Sequence, residues 1–140
     1  MSEESTTSDP VELTRRAFEA ANHHDVDALM RFYAPDAVMD LSDLGIGFFN
    51  GAAAIRRFSE EWWGMWGDHL TVVDELVDLG CGVVFIAVRE DGRLAGSDSH
   101  VEQTRGWIFV WVRGNIENFT CYLDIDAGRA AAERLAESRG

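Results

Sequence analysis

The stretch Asp25–Leu41, DVDALMRFYAPDAVMDL, holds a short helix, its stop and the start of a strand. Asp25 is placed to cap the helix. Val26, Leu29, Met30 and Tyr33 recur at helical spacing, which predicts a helix over about residues 26–33. Pro35 cannot continue it and biases Ala34 toward extended backbone. Val38, Met39 and Leu41 then open a strand near 37–41, so the chain passes from helix to sheet within about one helical turn. Asp40 stands at the entrance to that strand.

Working outward, Asp9, Pro10 and Glu12 form a helix start. Leu13, Ala17, Ala20 and Ala21, with Phe18 beside them, give that helix a small apolar face. SDLGIGFFNG after the first strand reads as a loop punctuated by Gly45, Gly47 and Gly51. Ile55, Phe58, Trp62 and Trp66 share one face of a third helix opened by Asn50 or Gly51. LTVVDELVDL reads as a strand irregular around Asp74, and VVFIAVR as a second, turned by Asp91-Gly92. SHVEQTRGWIFVWV is a long third strand, and IENFTCYLD the last. Asp124 or Asp126 caps a final alanine-rich helix over 127–137. Strands this apolar cannot expose both faces. The order therefore predicts an α+β cone: a curved antiparallel sheet covered by three helices from the N-terminal half, with a short C-terminal helix and a cavity at the open end. Residues 1–8 read as a disordered polar tail and 9–138 as one domain.

The net charge is −13, and all 12 basic residues are arginines. Such a chain is a poor partner for nucleic acid or anionic membranes, and no run approaches the roughly 18 apolar residues of a membrane span. The polar, acidic start is no signal peptide, so the reading is a cytoplasmic protein with two reduced thiols, Cys81 and Cys121. His23 and His24 are adjacent, and His69 and His100 are isolated. No metal-ligand spacing follows, and no cofactor is expected.

RRAFEAANHHDVDALMRFYAPDAVMDLSDLGIGFFNGAAAIRRFSEEWW resembles the opening of SnoaL-like proteins of the nuclear transport factor 2-like superfamily, and VWVRGNIENFTCYLDIDAG resembles their closing hairpin. The resemblance covers roughly residues 11–130 and implies the cone fold. That superfamily spans isomerases, polyketide cyclases, epoxide hydrolases, dehydratases and non-catalytic binders. By the resemblance, the general base of the ketosteroid isomerases would fall at Leu41, their oxyanion tyrosine at Ala17, and their second oxyanion acid at Gly106 or Trp107. All three groups are missing, which disfavours steroid isomerisation by that mechanism. A hydrolase-type Asp-Arg-Asp arrangement would need Arg105 with Asp40 or Asp43 and with Glu102 or Asp124.

Asp40 is a candidate general base, against a carboxylate bonded to its own loop. His100 is a candidate proton carrier, against a surface histidine at a strand end. Met39, Leu41, Trp62, Trp66, Gln103, Arg105, Trp107, Phe119 and Cys121 are expected to line the pocket. Gln103, Arg105 and Trp107 share one strand parity, and an inward arginine must find an anion in the protein or in a ligand. Cys121 has no nearby histidine to activate it. The expectation is a small-molecule-binding domain acting on a largely apolar ligand by isomerase, cyclase or dehydratase chemistry. The alternative is a non-catalytic binding or dimeric interaction module. The long strand is apolar on both faces, which predicts a homodimer through the outer one.

Overall fold

Asp9 opens the first helix, α1 (Pro10–Asn22), by accepting a hydrogen bond from the Val11 N–H at 3.1 Å, with Pro10 in the first turn. The structure is a computed structural model that describes residues 9–140, so the expected tail 1–8 lies outside the described residues. Asp25 caps α2 (Val26–Met30) through the Ala28 N–H at 3.1 Å. This helix is shorter than its spacing predicts, and Tyr33 does not end it. The Ile116 N–H donates to the Phe32 carbonyl, and Tyr33 opens β1 (Tyr33–Leu41) opposite Ile116. Sheet pairing begins before Pro35 and overrides the last helical turn.

The segment read as a loop is partly regular. A 3-10 turn over Ser42–Leu44 leads to β2 (Gly47–Asn50), a short edge strand antiparallel to β1. Gly45 and Gly47 take φ of +77° and +112°, which glycine adopts without strain. Helix α3 (Ala52–Gly64) follows. Then come β3 (Trp66–Gly80), β4 (Val83–Leu94), β5 (His100–Val112), β6 (Asn115–Tyr122) and α4 (Ile125–Arg139). The sheet order is β2-β1-β6-β5-β4-β3. All neighbours are antiparallel except β1 and β6, which run parallel with Met39 beside Phe119. The sheet is therefore mixed rather than purely antiparallel, because the meander from β3 returns its last strand beside the first.

The irregularity near Asp74 is present as a register shift between Val73 and Glu75. Asp91-Gly92 is not a turn. Both residues lie inside β4, and the chain reverses between Leu94 and His100. Glycine is required at 92 for space: a Cβ there would stand 2.5 Å from the Asp68 carbonyl oxygen and 2.9 Å from the Trp66 ring.

Alternation along β4 and β5 builds two cores. Val84, Ile86 and Val88 face the helices α1–α3 together with Phe109, Trp111 and Phe119. The Trp111 indole N–H donates to Thr14 Oγ1 at 2.9 Å, which ties this face to α1 through a fully buried threonine. Val83, Phe85, Ala87, Ile108 and Val110 face the other way, against Ala132, Ile125 and Leu135 of α4. This covered face is the one assigned from sequence to a second copy of the chain. Helix α4 provides the cover, so the apolar outer face is no longer an argument for a homodimer. Arg129 locks the helix down with two hydrogen bonds to Glu75, at 2.8 and 2.6 Å, and lies 4.8 Å from the Phe85 ring centre.

Helix α4 approaches β5 most closely at Gly128, where an added Cβ would lie 3.3–3.4 Å from backbone atoms of Gly106. Backbone on both sides leaves little to yield. Gly128→Val is expected to lower stability by about 1–3 kcal/mol through overpacking, more than the gain in helix propensity of under about 1 kcal/mol. Urea unfolding followed by circular dichroism measures it, and an unchanged midpoint would mean that α4 does not dock through this contact.

Candidate functional site

Between α1, α3 and the inner face of the sheet lies a cavity of about 130 Å³. Strand parity decides which predicted residues reach it. Met39 and Leu41 line it from β1, Gln103, Arg105 and Trp107 from β5, Phe119 and Cys121 from β6, and Trp62 from α3. Ala17 and Leu41, where the isomerase comparison would place a tyrosine and a base, both face the cavity as apolar groups. Trp66 stands behind the wall, buried and edge-on to Trp62 with ring centres 5.7 Å apart.

Neither predicted catalytic residue lines the cavity. Asp40 has the opposite parity to Met39 and Leu41, and accepts from the Ser42 N–H at 3.0 Å and the Ser42 hydroxyl at 2.6 Å. His100 is on the outward parity of β5, exposed and paired with Asp91. The Asp-Arg-Asp arrangement also fails to assemble. Asp43 accepts from the Leu123 N–H at 2.9 Å, Glu102 pairs with Arg89 at 3.6 Å, and Asp124 caps α4 through the Ala127 N–H at 2.8 Å.

Two titratable residues that sequence reasoning passed over do line the cavity. Thr71, Glu90 and Gln103 stand directly opposite one another across β3, β4 and β5, forming a polar row, and His69 lies one diagonal step from Glu90. The Glu90 and His69 side chains are 9% and 4% exposed, with Oε2 and Nε2 3.6 Å apart. His69 Nε2 and the Trp107 indole N–H are buried without a hydrogen-bond partner. The His69 ring packs against Trp66 at 4.9 Å and reaches His24 at 6.2 Å. His24 sits in left-handed backbone at the end of α1 (φ +54°) and stacks on Trp63 at 5.0 Å. The Asn22 side chain pins α1 here, exchanging hydrogen bonds of 2.9 and 2.8 Å with the backbone of Thr71. Inward parity signals Glu90 in the sequence, since Val84, Ile86 and Val88 lead to it in steps of two. Ending the strand at Arg89 hid that signal.

Burial pushes the Cys121 thiol up to about 12, helped by the negative charge of Glu90. Burial also holds the Tyr33 phenol above its ordinary range. Arg105 is half-buried. It donates to Gln103 Oε1 at 2.7 Å and to the Thr104 carbonyl at 2.8 Å, and has no ion-pair partner among the described residues. No three His, Cys, Asp or Glu side chains among the described residues gather as a metal-binding group, and no helix among them is long and apolar enough to cross a membrane.

A curved six-stranded mixed sheet with helices over its cavity face is the architecture of nuclear transport factor 2-like proteins. The chain belongs to the SnoaL-like domain family, whose model matches residues 14–116. Among solved structures it is similar to a nuclear transport factor 2-like protein of Burkholderia pseudomallei (15% identity, 84% of this chain and 92% of that one, TM-score 0.72). A putative polyketide cyclase of Sinorhizobium meliloti is also similar (23% identity, 79% and 93%, TM-score 0.67). So is an epoxide hydrolase/cyclase-like enzyme of pyran ring formation in salinomycin (17% identity, 90% and 96%, TM-score 0.71). At these identities the likeness is one of fold. No curated protein sequence matches the chain.

The two cysteines differ in a way that tests the cavity wall, since Cys81 is exposed and Cys121 buried. The raised Cys121 thiol stays protonated up to its folded-state value of about 12. A thiol reagent at pH 8 is expected to modify Cys81 alone in the native protein and both cysteines in denaturant. Two rapid equivalents in the native protein would place Cys121 in contact with solvent.

Proposed function

We propose that the chain is a small-molecule enzyme whose His69–Glu90 pair moves a proton on a largely apolar ligand held in the cavity. The observation that carries this reading is a carboxylate and an imidazole, both buried on the wall of an apolar chamber, with His69 Nε2 left without a hydrogen bond. Burying a carboxylate and an imidazole costs stability when their hydrogen bonds are incomplete, and a pair of them retained on a cavity wall favours a working role. Carbonyl isomerisation, aldol-type cyclisation and dehydration of a β-hydroxy carbonyl can all open with removal of a proton from carbon beside a carbonyl. Glu90 and His69 are suited to take and return that proton. The unpartnered Trp107 N–H is suited to meet the oxygen on which charge then develops. Volume supports a small substrate, since an apolar cavity of about 150 Å³ accommodates benzene and this one is about 130 Å³.

Phenylacetone in deuterium oxide serves as a probe, with proton NMR following exchange at its benzylic carbon. Native protein is expected to accelerate exchange, and His69→Ala or Glu90→Gln to reduce the acceleration by about 10²–10⁴-fold, while tryptophan fluorescence still reports binding of the ketone. Binding without any exchange above buffer would make the protein a non-catalytic binding module instead.

A further inference from the structure

The cavity has a second polar feature that proton transfer does not use. Arg56, Arg89, Arg93 and Arg129 each meet a carboxylate, at the surface or over the sheet. Arg105 faces the cavity and, among the described residues, meets none. Of the 12 arginines, Arg105 is the one that lines the cavity, so its cation, unpaired among the described residues, faces whatever is held there. Its guanidinium is steadied by Gln103 Oε1 and by the Thr104 carbonyl, neither of which neutralises it. Glu90, the nearest buried carboxylate along the wall, is turned to His69 instead.

The register fixes where this cation stands relative to the proton-transfer pair. Gln103 is directly opposite Glu90, and Arg105 is one inward step further along β5, opposite Val88. Arg105 and Glu90 are therefore diagonal neighbours, with backbones about 7–8 Å apart. Gln103 stands between them, and beyond Arg105 the wall turns apolar with Trp107 and Phe119. The planar cation and the acid–base pair therefore stand side by side on the wall formed by β4 and β5, and the chamber beside them, at about 130 Å³, suits about one ring.

We infer that the cavity takes a one-ring organic anion, an aromatic or alicyclic carboxylate, with its carboxylate on Arg105 and its ring against Trp107 and Phe119. This rests on the pocket reading above and adds the charge and size of the ligand. A planar guanidinium forms paired hydrogen bonds with a carboxylate, and partial burial strengthens them relative to water. A neutral ester of the same ring fills the same apolar space but cannot make that pair.

Tryptophan fluorescence titrations with benzoate and phenylacetate, each beside its methyl ester, test the inference on the native chain, on Arg105→Met and on Arg105→Lys. Native protein is expected to bind each acid more tightly than its ester. Arg105→Met should weaken acid binding by about 10- to 100-fold and leave the esters unchanged. Arg105→Lys, which keeps the charge but loses the planar fork, should fall between. Circular dichroism of each variant separates loss of binding from loss of fold. Acids and esters binding alike to native protein would overturn the inference while leaving the pocket reading standing. A preference for acids that survives Arg105→Met would also overturn it and move the anion to another group. Binding of neither acids nor esters would remove the pocket reading itself, and the inference with it.

Discussion

Two strands, β4 and β5, are apolar on both faces, and the whole arrangement answers the need to bury both. Side chains alternate across a strand, so each residue is committed to one face or the other. One set, Val84, Ile86, Val88, Phe109 and Trp111, requires the three N-terminal helices. The other set, Val83, Phe85, Ala87, Ile108 and Val110, requires α4. A slip of one residue between these strands would send Phe109 and Trp111 under α4 and empty the cavity wall. The bound positions of α1 through Thr14, and of α4 through Gly128, follow from that register.

The same alternation sets the polar character of the cavity. The inward row of β4 runs Val84, Ile86, Val88 and then Glu90, so the strand delivers three apolar groups to the inner core and a carboxylate to the cavity wall. On the antiparallel β5 the inward row runs the other way, from polar to apolar, through Gln103, Arg105 and Trp107. Polar groups thus gather at one end of neighbouring strands without any local motif in either. Burying them opposes stability, since a well-packed apolar pair of similar volume is often as good or better than a buried ion pair. Their presence on the wall is a departure from what packing alone favours, and such departures concentrate where a protein does chemistry.

Much of this was legible in the sequence, and the reason is periodicity. Met39 and Leu41, then Gln103, Arg105 and Trp107, then Phe119 and Cys121 share parities that a two-residue period makes legible within each strand, and all seven line the cavity. The choice of the inward parity on β5 came from the family resemblance, and that on β6 was not fixed by the sequence. The α+β cone and the Asp9 and Asp25 caps were legible for the same reason. What was not legible depended on distant partners. The parallel pairing of β1 with β6 leaves no mark on either strand. Strand β2 is four residues long, too short for a period to show between its glycines. Gly92 had the composition of a turn, yet it is there to make room for the Trp66 ring and the Asp68 carbonyl on the neighbouring strand. That one misreading ended β4 early, concealed Glu90, and left His69 as an isolated histidine.

Asp40 shows why residue type is a weaker guide than position. It sits one residue from the place where the isomerase comparison would put a base, and one residue in a strand is the difference between a cavity and a loop. Its carboxylate serves Ser42, while Leu41 fills the inward site with a hydrocarbon. The acidic group of the cavity enters instead from β4, on the wall formed by β3, β4 and β5, and brings a histidine with it from β3. The fold supplies an apolar chamber ringed by many inward positions, and any of several strands can carry the polar groups. Structures sharing this cone at 13–23% identity are therefore free to place different chemistry inside it. The residues that face the chamber, and not the resemblance of the shell, are what a functional assignment has to rest on.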